Sequence, residues 1–435
     1  MADKRRTRTP ATAAPAAARA VGAKNTLKLL LLTALLGAFA GVVIWCFLKA
    51  VAVCTGLVWE KLPAATGQKW LLIPLCALAG LVLGLLHRGF GDYPEELTVV
   101  LERIKREKHV AYHPMLVMLA CAFIPLVFGA SVGPEAGLVG IVAALCYWVG
   151  DNVTFAKRHS ALFSEIGEAV TLGQLFRSPL FGILAVEEPI DGETDPQPMP
   201  RPFKFALYGL STASTFAVIG LLGSLFGKAM GGFPSFSEVP VGAKDYWMML
   251  LYIPVGCLLC LFFEQCERWV GKAAGRVPVV LREVLCGAAI GVTGLLVPMA
   301  LFSGEEQMAE LMEGFGEYAP LFLIGVCLLK LVLTAFCLKF GMKGGHFFPL
   351  IFACTAMGYG LAMLLFAVPG EHVAFAAGIV TAAALGAQMK KPLAVSVLLL
   401  LCFPARVLLW IFLAAALGAF MGNRVFPALE KRRDA

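Results

Sequence analysis

The sequence predicts an all-α polytopic membrane protein of two inverted halves, and three observations carry that expectation. Of its 435 residues 59% are hydrophobic and only 15% charged, with a mean hydropathy of +0.80, which is too apolar for an ordinary soluble chain. Stretches long enough to cross a bilayer recur along its length. Short signatures also repeat: Phe128-Gly129 with Gly133 returns as Phe340-Gly341 with Gly345, and Gly173-Gln-Leu-Phe-Arg-Ser-Pro-Leu180 returns as Gly386-Ala-Gln-Met-Lys-Lys-Pro-Leu393. The two shifts nearly agree (340 − 128 = 212; 386 − 173 = 213), which argues for duplication.

Residues 1–24, with Lys4, Arg5, Arg6, Arg8, Arg19 and Lys24 in an Ala/Thr/Pro background, are expected to be a disordered basic tail on the cytoplasmic side. The apolar run Leu27 to Val58 is about twice the length of a signal-peptide core, so it is expected to remain as a spanning helix. Trp70 to Leu86 follows, and then the cationic flank Leu101-Glu-Arg-Ile-Lys-Arg-Glu-Lys-His109, a solvated membrane edge. The loop Asp191 to Pro202 is too charged and proline-rich to enter lipid. Further spans are expected over Phe205 to Phe226, Met248 to Phe263, Leu321 to Leu338 (interrupted only by Lys330) and Phe347 to Val368. A break in apolarity over about 230–245 divides a transport domain of 25–429 into halves of 25–229 and 246–429, with 430–435 as a second tail. Lys431-Arg432-Arg433 makes that end basic too, and the positive-inside rule then sets both termini in the cytoplasm.

The net charge of +7 belongs to these flanks, and no basic and aromatic pattern points to nucleic acid. Thirteen cysteines without framework spacing read as small buried hydrophobes, including the close pair Cys257 and Cys260. No His-Glu-x-x-His, nucleophile elbow or P-loop is present, so no enzyme activity and no cofactor or metal is expected.

Glu135 stands out in the run Phe128-Gly-Ala-Ser-Val-Gly-Pro-Glu-Ala-Gly-Leu-Val-Gly140, a carboxylate at an expected helix start between apolar segments. Pro134 suits the first helical position. Helix N-termini offer unpaired N–H groups and the positive dipole end, which attract anions or side chains that imitate them. An ionisable group at membrane depth is by default a functional candidate. Repeats that each carry a Gly/Pro-interrupted apolar segment point to a secondary transporter with its binding site between the halves. The competing explanation for either glycine cluster alone is close helix packing, and the correspondence between clusters favours function.

These motifs resemble the CLC family of chloride channels and proton-coupled chloride transporters, in its bacterial type, over about 27–429. Gly133-Pro134-Glu135-Ala136-Gly137 matches the family's Gly-x-Glu-Gly-Pro, with Ala-Gly for the final Gly-Pro. Gly344-Gly345-His346-Phe347-Phe348-Pro349 matches Gly-Gly-x-Phe-x-Pro, and Pro179 to Glu188 matches the stretch that ends in two acids, Glu187 and Glu188. The resemblance implies a homodimer in a bacterial inner membrane, with one anion pathway per subunit and tilted and re-entrant helices. It implies Glu135 as the external gating glutamate and Glu188 as the internal proton relay. The anion would meet N–H groups around His346, Phe347 and Phe348, beside Gly133, Pro134 and Ala136. With so few residues past the last family helix, no nucleotide-sensing domain is expected.

Two departures bear on the ion. Gly91 stands where the family places a serine hydroxyl, and Phe426 where it places a tyrosine. The expected substrate is therefore chloride or a related small anion. A protonated His346 would strengthen anion binding, the alternative being that only its N–H matters. Lys343 either adds positive potential or snorkels to the interface. His87, His109, His113, His159 and His372 lie near expected helix ends and receive no role. The function expected is proton-coupled anion antiport, with a passive anion channel as the alternative and a non-transporting scaffold behind both.

Overall fold

Backbone polar groups inside hydrocarbon must pair within their own segment, so a long apolar stretch becomes a helix. The computed structural model describes residues 23–94, 115–152, 160–175, 182, 201–227, 229, 234–236, 238–400 and 402–427. In chain order its principal helices are α1 (Ala23–Gly56), α2 (Leu72–Phe90), α3 (Met115–Val127), α4 (Glu135–Asn152), α5 (Ser160–Leu175), α6 (Arg201–Phe226) and α7 (Ala243–Ala274). There follow α8 (Val279–Leu296), α9 (Glu305–Gly314), α10 (Pro320–Lys339), α11 (Phe347–Leu365), α12 (Val373–Met389), α13 (Pro392–Leu399) and α14 (Leu408–Phe420). Eight segments among the described residues have the length and apolarity to cross a membrane, while Met115–Val127, Glu135–Cys146 and Val373–Met389 are apolar but shorter. Residues 1–22 of the first basic tail, the second tail, the 101–109 flank, the acidic pair Glu187–Glu188 and most of the 191–202 loop lie outside the described residues, and α1 already begins at Ala23.

The repeat expected from sequence reappears in helix boundaries. α3 and α10 end at Val127 and Lys339, and α4 and α11 start at Glu135 and Phe347, each pair 212 residues apart. α5 and α12 start at Ser160 and Val373, 213 apart. Between the halves α11 is the most enclosed spanning helix, with 78% of its apolar window buried against 28–56% in the others. Its neighbour α12 is buried without interruption from Val373 to Ala387. Protein, not lipid, therefore surrounds the helix start that faces Glu135.

Helices in lipid associate through small residues and shared hydroxyls more than through apolar burial. α2 and α8 each carry a Gly-x-x-x-Gly pattern, Gly80 with Gly84 and Gly287 with Gly291, and each pair packs closely on the other helix. A Cβ at Gly80 would strike the Glu283 carbonyl, at Gly84 Val280, at Gly287 the Cys76 carbonyl and at Gly291 Ile73. Rising numbers on α2 meet falling numbers on α8, so the pair is antiparallel. Hydroxyls join α1 to α6, where Ser214 Oγ donates to the Ala34 carbonyl and Thr215 Oγ1 to the Gly37 carbonyl, both at 2.7 Å.

Candidate functional site

The loop from α3 to α4 turns at Gly129 (φ 81°), and its repeat counterpart from α10 to α11 turns at Gly341 (φ 103°). Only glycine takes such angles without strain. The first loop is pinned from three sides. Trp59 Nε1 donates to the Val127 carbonyl at 3.1 Å, the Phe302 N–H to the Gly129 carbonyl at 3.2 Å, and Ser131 Oγ pairs with Thr334 Oγ1 at 2.9 Å. The two loops then pair with each other. Gly133 N–H donates to the Gly345 carbonyl at 2.7 Å and Gly345 N–H to the Gly133 carbonyl at 2.8 Å, a single antiparallel rung joining repeat-equivalent residues.

That rung brings two helix starts head to head. Glu135 opens α4 and is completely buried. Its Oε1 accepts hydrogen bonds from the backbone N–H groups of Phe347, at 3.0 Å, and Phe348, at 3.4 Å, in the first turn of α11. Its Oε2 is buried with no hydrogen-bond partner. The glycines make the room: a Cβ on Gly133 or on Gly345 would overlap the Glu135 carboxyl group. Pro134 lies just ahead of the helix, its carbonyl accepting from Leu138 N–H at 3.0 Å, so the helix begins one residue later than expected. Ala136, Phe347 and Phe348 are buried around the carboxylate. His346 is the N-cap of α11, with its half-buried ring 4.6 Å from that of Phe347 and 6.0 Å from that of Phe263.

The structure therefore gathers Gly133, Pro134, Glu135, Ala136, His346, Phe347 and Phe348. Gly91 and Phe426 sit on other elements. Gly91 closes α2 on an exposed turn (φ 106°), and Phe426 is buried in the turn that follows α14. Glu188 lies outside the described residues. Lys343 has an ion-pair partner: its Nζ lies 2.7 Å from Asp92 Oδ2, with Arg282 3.8 Å from the other oxygen. Burial works against charge on Asp92, yet the hydrogen bond and charge of Lys343, helped by His87 and Arg282, hold its carboxyl below the usual carboxylate range.

Lys330 is a residue whose importance the sequence hinted at only as an interruption. Buried completely in α10, its Nζ donates to the carbonyls of Ala300, Leu301 and Phe302 at 3.2, 2.8 and 2.8 Å. An ammonium has three donors, and three acceptors meet them. The ammonium also lies 5.2 Å from the centre of the Phe352 ring. Phe302 is a non-glycine residue at φ 58°, so the lysine holds a left-handed turn whose N–H supports Gly129. Among the described residues, no three His, Cys, Asp or Glu side chains gather as metal ligands would.

Comparison with known proteins agrees with this architecture. A family model described as voltage gated chloride channel matches residues 95–423. Chloride channel protein CLC-e of Arabidopsis thaliana is 26% identical over 361 residues, which cover 75% of this chain and 48% of that protein, so the chain spans about half the length of this relative. Among solved structures, a CLC-type fluoride/proton antiporter superposes with a TM-score of 0.72 at 19% identity, covering 93% of this chain and 97% of that one. A slow cyanobacterial Cl-/H+ antiporter superposes with a TM-score of 0.75, also at 19% identity, covering 93% and 98%. At these identities the two structures speak for the fold alone.

Proposed function

Since this chain belongs to the voltage gated chloride channel family, we propose that the anion transport it carries out is proton-coupled antiport, with Glu135 as the group that links anion to proton. One observation supports this above the rest. A fully buried carboxylate occupies the N–H groups at the start of α11, where a small inorganic anion would be held. Partial charges suit a transported ion, because they stabilise it without the grip of a full positive charge and so let it leave. When Glu135 takes a proton it loses its claim on those N–H groups, and an anion takes them instead. Proton binding and anion occupancy are thus exclusive at one place, which is the linkage an exchanger needs.

Chloride is the first candidate, in keeping with the names of CLC-e and the cyanobacterial antiporter, and fluoride follows from the other antiporter. A passive anion channel is the second reading. The observation favouring it is the absence of a hydroxyl at Gly91 and Phe426, which leaves fewer ligands to hold an ion while a proton moves. The working unit in this proposal is a homodimer in a bacterial inner membrane, with both termini cytoplasmic and Glu188 acting on the proton from that side.

The test is a reconstituted vesicle with a chloride gradient, in which proton and anion movements are recorded together. Uphill proton movement is expected in the unaltered protein, and Glu135→Gln should end it while anion flux continues. Anion flux with no proton movement in the unaltered protein would favour the channel. Competition among chloride, nitrate and fluoride in the same vesicles identifies the preferred ion.

A further inference from the structure

Four of the positive-φ glycines fall into repeat pairs: Gly129 with Gly341, and Gly91 (φ 106°) with Gly304 (φ 101°), the latter 304 − 91 = 213 residues apart. Each loop of the first pair rests on a turn of the second pair from the other half. The 129–133 loop rests on the Gly304 turn, where the Phe302 N–H donates to the Gly129 carbonyl. The 341–345 loop rests on the Gly91 turn, and there the support is ionic, from Lys343 Nζ to Asp92 Oδ2. Behind that pair lies a buried one. The packing of α2 on α8 brings His87 Nδ1 to 2.7 Å from Glu283 Oε1, with side chains 1% and 0% exposed. The second ring nitrogen, Nε2, donates to the Tyr93 carbonyl in the Gly91 turn, so one imidazole ties that turn to Glu283. The Glu283 carboxyl in turn packs on Gly341 so closely that a Cβ there would overlap it. The Gly91 turn and the 341–345 loop are therefore joined twice, at the rim by Asp92 and Lys343 and inside by His87 and Glu283. Glu283 Oε2 is buried with no partner. An unpaired buried oxygen costs stability that an apolar side chain of similar size would not, which points to a use beyond holding the fold together.

We propose that Lys343, Asp92, His87 and Glu283 are positioning residues that set anion selectivity at the start of α11. The proposal rests on the reading that a small inorganic anion takes the N–H groups Glu135 now occupies, and it holds for antiporter and channel alike. Those N–H groups belong to Phe347 and Phe348, which directly follow the 341–345 loop and His346. The loop is fixed at both ends, by the brace at Gly341 and Lys343 and by the rung at Gly345. Held in this way, the N–H groups neither close on a smaller ion nor part for a larger one, and the site accepts one size best. With the brace undone, the loop re-forms around each ion; a shift of about 0.5 Å in the ligands is enough to lose the discrimination. None of the four side chains has to touch the ion.

The test measures the binding of chloride, fluoride and nitrate to the full chain in detergent by calorimetry. Glu135→Gln removes the competing carboxylate and should bind anions more tightly than the unaltered protein; no gain overturns the anion reading and this proposal with it. Where the gain is seen, Lys343→Met, Asp92→Asn and Glu283→Gln are each added to Glu135→Gln, and the ratio of Kd between the worst- and best-bound anion is compared. That ratio should fall about threefold or more in each. Lys343→Arg, which keeps the ion pair, should retain it, and Lys339→Met, which removes a charge paired with Glu267 outside the brace, should leave it where it was. A loss of affinity by the same factor for all three anions is what a missing charge or a loosened fold gives, and it overturns the proposal while leaving the anion reading intact. An unaltered ratio in both Lys343→Met and Asp92→Asn does the same, whether or not Glu283→Gln folds. Equal binding of the three anions by Glu135→Gln itself also overturns it.

Discussion

Lys330→Met exchanges the buried ammonium of α10 for an apolar chain of similar length. Three hydrogen bonds to backbone carbonyls are lost, each contributing about 1.5–3 kcal/mol when the donor is charged, which sets a ceiling of roughly 5–9 kcal/mol. Removing the buried charge also removes its desolvation penalty, several kcal/mol in the opposite direction. The expected net loss is about 2–4 kcal/mol. The cost does not vanish, because the carbonyls of residues 300–302 are left in a water-poor interior and Phe302 must hold its left-handed turn unaided, at about 1–2 kcal/mol. In detergent, the unfolding midpoint should fall by roughly 2–4 °C. The matched control is Lys339→Met, whose side chain is 28% exposed and paired with Glu267 at 3.1 Å, and which should change stability by no more than about 1 kcal/mol. Because Phe302 supports Gly129 in the loop before Glu135, the Lys330 variant should also lose anion flux in vesicles. An unchanged midpoint, or one no lower than in the Lys339 control, would refute the idea that this lysine holds the turn.

Gly345→Ala puts a methyl group where the Glu135 carboxyl lies, so the side chain should leave the N–H groups of α11; the expected outcome is anion flux with a lowered proton ratio, and an unaltered ratio in a well-folded variant would contradict it. The Asp92 ion pairs predict a pH dependence of stability. Because its carboxyl is held below the ordinary range in the folded chain, its contribution is present above the unfolded value of about 4 and is lost as pH falls through the folded value. Midpoints measured between pH 6 and 3 should therefore fall more in the unaltered protein than in Asp92→Asn, by a small amount given its 53% exposure, and parallel curves would count against the pairing.

Much of this site was legible in the chain, for identifiable reasons. Apolar runs give spans because hydrocarbon forces the backbone to pair internally, and the repeated Phe-Gly-x-x-x-Gly marks both loops because positive φ and tight contact demand glycine at matching places. Glu135 was visible because so few charges interrupt the apolar segments. The partners of Lys330 were not, since backbone carbonyls have no letter in a sequence. His87 received no role because its place at a helix end says nothing of Glu283, which arrives on another helix through Gly80 and Gly287. Lys343 carried two readings, and the partner it found, Asp92, is exposed on a turn the pattern left unassigned. Gly91 and Phe426 were visible as departures from the family motifs.

The rung between Gly133 and Gly345 joins each residue to its own counterpart in the other half. Self-reciprocal bonding of this kind places a local two-fold axis between the two glycines, as at the centre of an isologous dimer contact. The rung therefore fixes the spacing of the two helix starts, and with it the distance from the Glu135 carboxylate to the N–H groups of Phe347 and Phe348. A half-length chain carrying either loop would offer the same rung to a second copy of itself.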